Sequence, residues 1–180
     1  MKEEKMQERI TLYGTIGFEP ENKTNKHATQ ASWKKIAMVF IDGDVAEYYA
    51  WFVKKRYNLT LNKPLRGAHV SFINDSMRDL TQNGEKSVEE VEVLWESVKQ
   101  KWDGKQIPIV LDLNPKTNDE HWWLNIPHEE RGLLQSIRDE LGLDRPYFGM
   151  HMSIGYANEK NIEHSKYIHD LIKKGFIKFA

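Results

Sequence analysis

Apolar residues along this chain fall into short runs and helical stripes. Leu12 to Phe18 is rich in aromatic and β-branched residues, carries Gly14 and Gly17, and predicts a strand. Glu19 to Ser32 is polar and predicts a mobile loop. Ile36 to Ile41 is a continuous apolar run, as expected of a strand buried on both faces. Asp42-Gly43-Asp44 then turns the chain. Asp44 is the candidate N-cap of a helix reaching about Tyr57, in which Tyr48, Trp51, Phe52 and Lys55 follow three-to-four spacing.

The second half repeats this alternation. Asn74 to Gly84 reads as a polar connection. Ser87 with Glu90 three residues on is a capping-box pattern, and Val91, Leu94, Trp95 and Val98 supply the apolar stripe of the helix that follows. Gln106 to Leu113 and His121 to Ile126 predict two strands, joined as a hairpin by a turn over Asn114 to Asp119. Pro127 opens a helix through Leu141, with Leu133, Leu134, Ile137 and Leu141 on its apolar face and Gly142 ending it. Ile162 to Lys174 predicts a helix and Gly175 to Phe179 a last short strand. The expected fold is α+β: one domain over residues 1–180, with two pseudo-symmetric lobes of antiparallel sheet and flanking helices around a central cleft.

One phrase occurs twice in this pattern, each time directly after a helix or its turn. Leu61-Asn62-Lys63-Pro64-Leu65-Arg66-Gly67-Ala68-His69-Val70-Ser71 returns as Leu143-Asp144-Arg145-Pro146-Tyr147-Phe148-Gly149-Met150-His151-Met152-Ser153. Packing asks only for apolar residues at such places, so a repeated polar His-x-Ser calls for a chemical reason. In a strand, residues i and i+2 share a face, which puts His69 with Ser71 and His151 with Ser153. Val70 and Met152 then point to the core. Gly67 and Gly149, two residues earlier on the same face, leave room for a ligand or a crossing backbone. Pro64 and Pro146 mark strand starts. Two imidazoles and two hydroxyls facing one cleft form a general acid–base pair with hydrogen-bond donors for a phosphate, and the set requires no metal.

Composition narrows the partners. Apolar residues make up 39% and charged residues 29%, which is ordinary for a globular chain. A formal net charge of -1 gives no broad electrostatic footprint for long duplex nucleic acid, while a small anionic ligand in a locally basic cleft remains compatible. The absence of cysteine removes disulfides, thiolate metal sites and cysteine nucleophiles. The charged start, Met1-Lys2-Glu3-Glu4-Lys5, lacks a signal-peptide apolar run, and no stretch approaches membrane-span length, so a cytoplasmic location is expected.

Two His-x-Ser/Thr motifs, one in each of two lobes, resemble the signature of the 2H phosphoesterase superfamily. The resemblance is specific at Gly67-Ala68-His69-Val70-Ser71-Phe72 and Gly149-Met150-His151-Met152-Ser153-Ile154. It looks most like the phage-encoded Swiss army knife RNA repair-like branch. That branch includes anti-CBASS proteins, which destroy the cyclic oligonucleotide signals of bacterial immunity. The resemblance implies His69, Ser71, His151 and Ser153 as the catalytic set, with no cofactor. It further implies attack by a ribose 2′-hydroxyl on a 3′–5′ phosphodiester, with a 2′,3′-cyclic phosphate formed and then opened. Many members carry threonine in the motif, and serine keeps the hydroxyl.

Candidate substrate contacts surround this set. Lys63, Arg66 and Arg145 are placed to gather phosphates, and Tyr13, Trp123, Tyr147 and Tyr156 to stack on bases. Alternation lets only one of Trp122 and Trp123 face the cleft. Tyr13 matches the aromatic near the N-terminal strand of the cyclic-oligonucleotide hydrolases; their C-terminal tryptophan has no counterpart in a tail offering Phe176 and Phe179. Asp42-Gly43-Asp44 resembles the aspartate pair of haloacid-dehalogenase phosphatases without the rest of that pattern. His121, His128, His164 and His169 lack metal-ligand spacing. The expected activity is cleavage of cyclic di- or trinucleotides. The alternatives are an RNA-end or 2′,3′-cyclic-phosphate phosphodiesterase and a non-catalytic nucleotide sponge.

Overall fold

A computed structural model of the chain describes residues 8–20, 34–81 and 87–177. Most of the loop expected over Glu19 to Ser32 lies outside the described residues. The strands are β1 (Arg9–Phe18), β2 (Ala37–Ile41), β3 (His69–Ile73), β4 (Gln106–Asp112), β5 (Lys116–Thr117), β6 (His121–Asn125) and β7 (His151–Tyr156). The helices are α1 (Val45–Tyr57), α2 (Met77–Thr81), α3 (Val88–Trp102), α4 (Gly132–Glu140) and α5 (Glu159–Lys173). All strands join one antiparallel sheet in the order β4-β1-β2-β3-β7-β6-β5, curled so that β4 and β6 approach each other. The two halves are therefore parts of a single sheet, joined where Val70 on β3 pairs with Met152 on β7.

The helices cover one face. Ile16, Phe18, Val39, Val70, Phe72, Leu124, Met152 and Ile154 point into a core shared with Tyr49 and Val53 of α1, Trp95 of α3, and Leu134 and Ile137 of α4. Phe18 meets Trp95 edge-on with ring centroids 5.1 Å apart, an arrangement that adds to simple burial. The other face carries the less buried alternates of each strand: Tyr13, Thr15, Phe40, His69, Ser71, Trp123, His151 and Ser153. Gly17 belongs to that face because the Phe40 ring lies across it; a Cβ there would sit 2.6 Å from the ring.

Several expected elements differ. The hairpin predicted between Gln106 and Ile126 does not pair its two strands. β4 instead pairs with β1, and β6 takes the short β5 as its hairpin partner. The long β1 offers a partner for all of β4, and its buried Ile16 joins Ile107 and Ile109 in the core, which outweighs chain proximity. The tail over Gly175 to Ile177 is a turn following α5, while Lys178 and Phe179 lie outside the described residues. The Asn74 to Gly84 connection contains α2. The helix expected from Pro127 is broken into a 3₁₀ turn (His128–Glu130) and α4. In α1 the buried residues are Ala46, Tyr49 and Val53, so Tyr48 and Trp51 face outward. Asp44 makes no capping hydrogen bond there, whereas Ser87 and Glu90 form the full capping box of α3.

A buried ion pair ties the halves together. Arg138 on α4 and Asp79 on α2 are both removed from solvent, with Arg138 Nη1 donating to Asp79 Oδ2 at 2.9 Å. Arg138 also donates to the carbonyls of Phe72 (2.7 Å) and Asp144 (2.6 Å). Asp79 accepts from the backbone N–H groups of Asn74 and Tyr147. The end of β3 is thus fastened to the segment that leads into β7.

Gly67 and Gly149, expected to leave room for a ligand or a crossing backbone, have nothing within 4 Å of a Cβ; the close backbone crossing occurs at Gly155. Asn62 exchanges two backbone hydrogen bonds with Tyr156, at 2.7 and 3.1 Å, so residues 61–62 run against the end of β7. A Cβ at Gly155 would lie 2.7 Å from the Asn62 carbonyl oxygen and 3.0 Å from Leu61 Cβ. Gly155→Ala is expected to cost about 1–3 kcal/mol in urea unfolding. A loss below about 0.5 kcal/mol, the usual range of a neutral surface change, would show that residues 61–62 yield freely.

Candidate active site

The strands β3 and β7 bring the two His-x-Ser motifs side by side at the middle of the sheet. With Val70 opposite Met152, the antiparallel register sets His69 beside Ser153 and Ser71 beside His151. All four side chains stand on the face free of helices. They are therefore neighbours on one surface, where the sequence predicted two surfaces meeting across a cleft. Neighbouring strands extend the arrangement into two rows. Thr15, Phe40, His69, Ser153 and Trp123 form one; Gly17, Met38, Ser71, His151 and Asn125 form the other.

The turn before each strand fixes its histidine. Pro64 and Pro146 precede β3 and β7 by several residues, and the intervening segments are turns, with Gly67 at φ 69°. Neither glycine is thus a strand position. Their carbonyls hold the imidazoles: His69 Nδ1 donates to Gly67 O at 2.8 Å, and His151 Nδ1 donates to Gly149 O at 2.6 Å. A carbonyl oxygen only accepts, so Nδ1 carries the proton in both rings and Nε2 is left as the exchangeable atom. Each neutral histidine then offers a lone pair at Nε2, and each protonated one offers an N–H at the same place.

Both histidines are held below the ordinary imidazole range. Burial is the largest cause at His69; the Gly67 carbonyl opposes it, and the charges of Arg66 and His151 add to it. Burial also leads at His151, opposed by the Gly149 carbonyl and joined by Arg131 and His121. Two imidazoles that sense each other take up protons as a coupled pair, which favours one proton over two. A phosphate between them reverses the depression, because a nearby anion favours the imidazolium.

The other sequence candidates separate into two groups. Trp123 is the tryptophan on the site face: its ring lies 5.8 Å from that of His151, and its Nε1 donates to Asn125 Oδ1 at 3.0 Å. Trp122 is in the core. Arg66 is close enough for its charge to act on His69. Tyr13 is exposed on the same face, two strands away from His69, a span of roughly 10 Å at ordinary strand spacing. An irregularity in the β6–β7 register brings Tyr156 opposite His121 and onto the site face. Tyr147 is instead engaged by α2, where Arg78 Nη1 donates to its hydroxyl at 3.1 Å and the guanidinium lies 5.3 Å from its ring centroid. Arg145 lines a neighbouring cavity whose lining includes none of the four central side chains. Lys63 pairs with Glu47 at 3.6 Å.

Sequence reasoning missed three contributors. Asn125 stands opposite His151 and steadies Trp123. Arg131 acts on His151 through its charge. The glycine carbonyls orient both rings, and the constant Gly-x-His spacing was the signal for them. Among the described residues no group of three His, Asp or Glu is arranged to hold a metal ion, and no helix is long and apolar enough to cross a membrane. No protein-family model, no curated protein and no solved structure matches the chain.

Proposed function

We propose that the chain is a metal-independent phosphodiesterase of the 2H type, acting on 3′–5′ bonds of cyclic di- or trinucleotides. The observation that carries this reading is the matched pair of histidines. Each is held through Nδ1 by the carbonyl two residues earlier, and each has a hydroxyl beside it. Two half-sites built alike, each a turn feeding a His-x-Ser strand, supply equivalent proton-transfer groups on the two sides of one phosphate.

The chemistry follows from the two protonation states of one kind of group. The neutral imidazole removes the proton from a ribose 2′-hydroxyl at its Nε2, and the oxygen attacks phosphorus. The protonated imidazole gives its Nε2 proton to the departing 5′-oxygen. The P–O5′ bond breaks as the P–O2′ bond forms, leaving a 2′,3′-cyclic phosphate. With the roles exchanged, water opens that ring. Ser71 and Ser153 donate hydrogen bonds to the non-bridging oxygens, where charge accumulates. Trp123, Tyr13 and Tyr156 provide faces for bases.

A 3′–5′ cyclic dinucleotide incubated with the protein in excess chelator is expected to give linear, ring-opened products. Intact ligand released by heat would overturn catalysis in favour of a sponge. Cleavage confined to nucleoside 2′,3′-cyclic phosphates or RNA ends would move the substrate while keeping the reaction type.

A further inference from the structure

Beside the candidate site lies a cavity of about 660 Å³, within the roughly 300–1,000 Å³ range of small-ligand sites. Its lining includes Arg131, Arg145, His128, Gln135 and Gly149, with Asp144 as a carboxylate. Gly149 belongs to both places, since its carbonyl holds the His151 ring. Among the described residues, neither Arg131 nor Arg145 has a carboxylate within 4.0 Å of its guanidinium. Arg131 Nε donates to the Ile126 carbonyl at 2.9 Å, which anchors the guanidinium. With two arginines against the single carboxylate of Asp144, the lining keeps an excess of positive charge that favours an anion.

The repeat breaks its symmetry at this point. Lys63, the counterpart of Arg145 in the first copy, is exposed and lies 3.6 Å from Glu47. Arg66, beside His69, has Phe148 as its counterpart in the second copy. The cation acting on His69, Arg66, belongs to the repeated phrase, whereas the one acting on His151, Arg131, comes from outside it and shares a cavity with Arg145.

We propose that this cavity is a second anion subsite, taking a phosphate of the substrate other than the one under attack. The proposal rests on the phosphodiesterase reading and narrows it: substrates with two phosphates are preferred over those with one. The guanidinium forks of Arg131 and Arg145 suit a phosphate dianion.

The test is binding of adenosine 3′,5′-bisphosphate and adenosine 3′-monophosphate to the wild-type chain and to Arg145→Gln, followed by calorimetry. Arg145 is exposed, and an unchanged melting temperature verifies the fold. The wild type is expected to prefer the bisphosphate, and Arg145→Gln to cut that preference about ten-fold, as for loss of a charged hydrogen bond. No preference in the wild type, or the same preference in the variant, overturns the subsite. Turnover of a cyclic dinucleotide is scored separately. Turnover without the preference sinks the subsite alone, and the preference without turnover sinks the phosphodiesterase reading alone.

Discussion

His69→Ala and His151→Ala are each expected to lower turnover of a cyclic dinucleotide by about 10²–10⁴-fold, the usual contribution of one general acid or base. Both side chains stand on the face without helices, so neither leaves a hole in the core shared with α1, α3 and α4. The melting temperature should therefore move little. The double variant should lose less than the product of the two single losses, because the groups act on one reaction as a unit. Full activity in either single variant would sink the mechanism. The pH dependence gives a second check. Burial holds both imidazoles below 6.5 in the free protein, so both limbs of the kcat/KM profile should lie on the acid side of 6.5. The kcat profile should lie higher, since bound phosphate favours the imidazolium. Limbs of kcat/KM centred above 6.5 would contradict the environment seen around the rings.

Arg138→Ala is expected to destabilise the fold by about 3–5 kcal/mol, the range for removing one partner of a buried ion pair. The loss would strand Asp79 without its cation and leave the Phe72 and Asp144 carbonyls without donors. Asp79→Ala should cost a similar amount, because it strands a buried guanidinium and frees the N–H groups of Asn74 and Tyr147. Replacing both together, as Arg138→Met with Asp79→Leu, should cost less than the sum of the two single losses, since no unpaired charge remains. Urea unfolding checks all three. A loss under about 1 kcal/mol for Arg138→Ala, a surface-like value, would show that water reaches the pair. Because Asp144 and Tyr147 lie just upstream of Gly149, a destabilised pair should also loosen the carbonyl that holds His151.

The repeated phrase was legible because its chemistry is local. Strand alternation alone placed His69 with Ser71 and His151 with Ser153 on shared faces, and it allowed only one of Trp122 and Trp123 onto the site. The capping box at Ser87 and Glu90 was equally plain, because its partners are three residues apart. Features set by distant partners were not legible. Nothing in the helical pattern singles out Arg138, yet it is buried, with Asp79 and the carbonyls of Phe72 and Asp144 accepting from it. The stripe assigned to α1 was out of phase, since its actual core residues are chosen by what β7 presents. The hairpin from Gln106 failed for a similar reason: β1 competes for β4 and wins by length.

The sequence by itself determined the α+β character, the four candidate side chains and their pairing by i and i+2, all consequences of backbone periodicity within a few residues. Only the tertiary structure decided that the two halves make one sheet and that β3 and β7 are neighbours. It also decided that the glycine carbonyls fix the imidazole tautomers and that Arg66 lies near His69 while Arg145 lines a separate cavity. Those outcomes depend on long-range strand pairing and on burial, and the energies that select them belong to contacts between segments far apart in the chain.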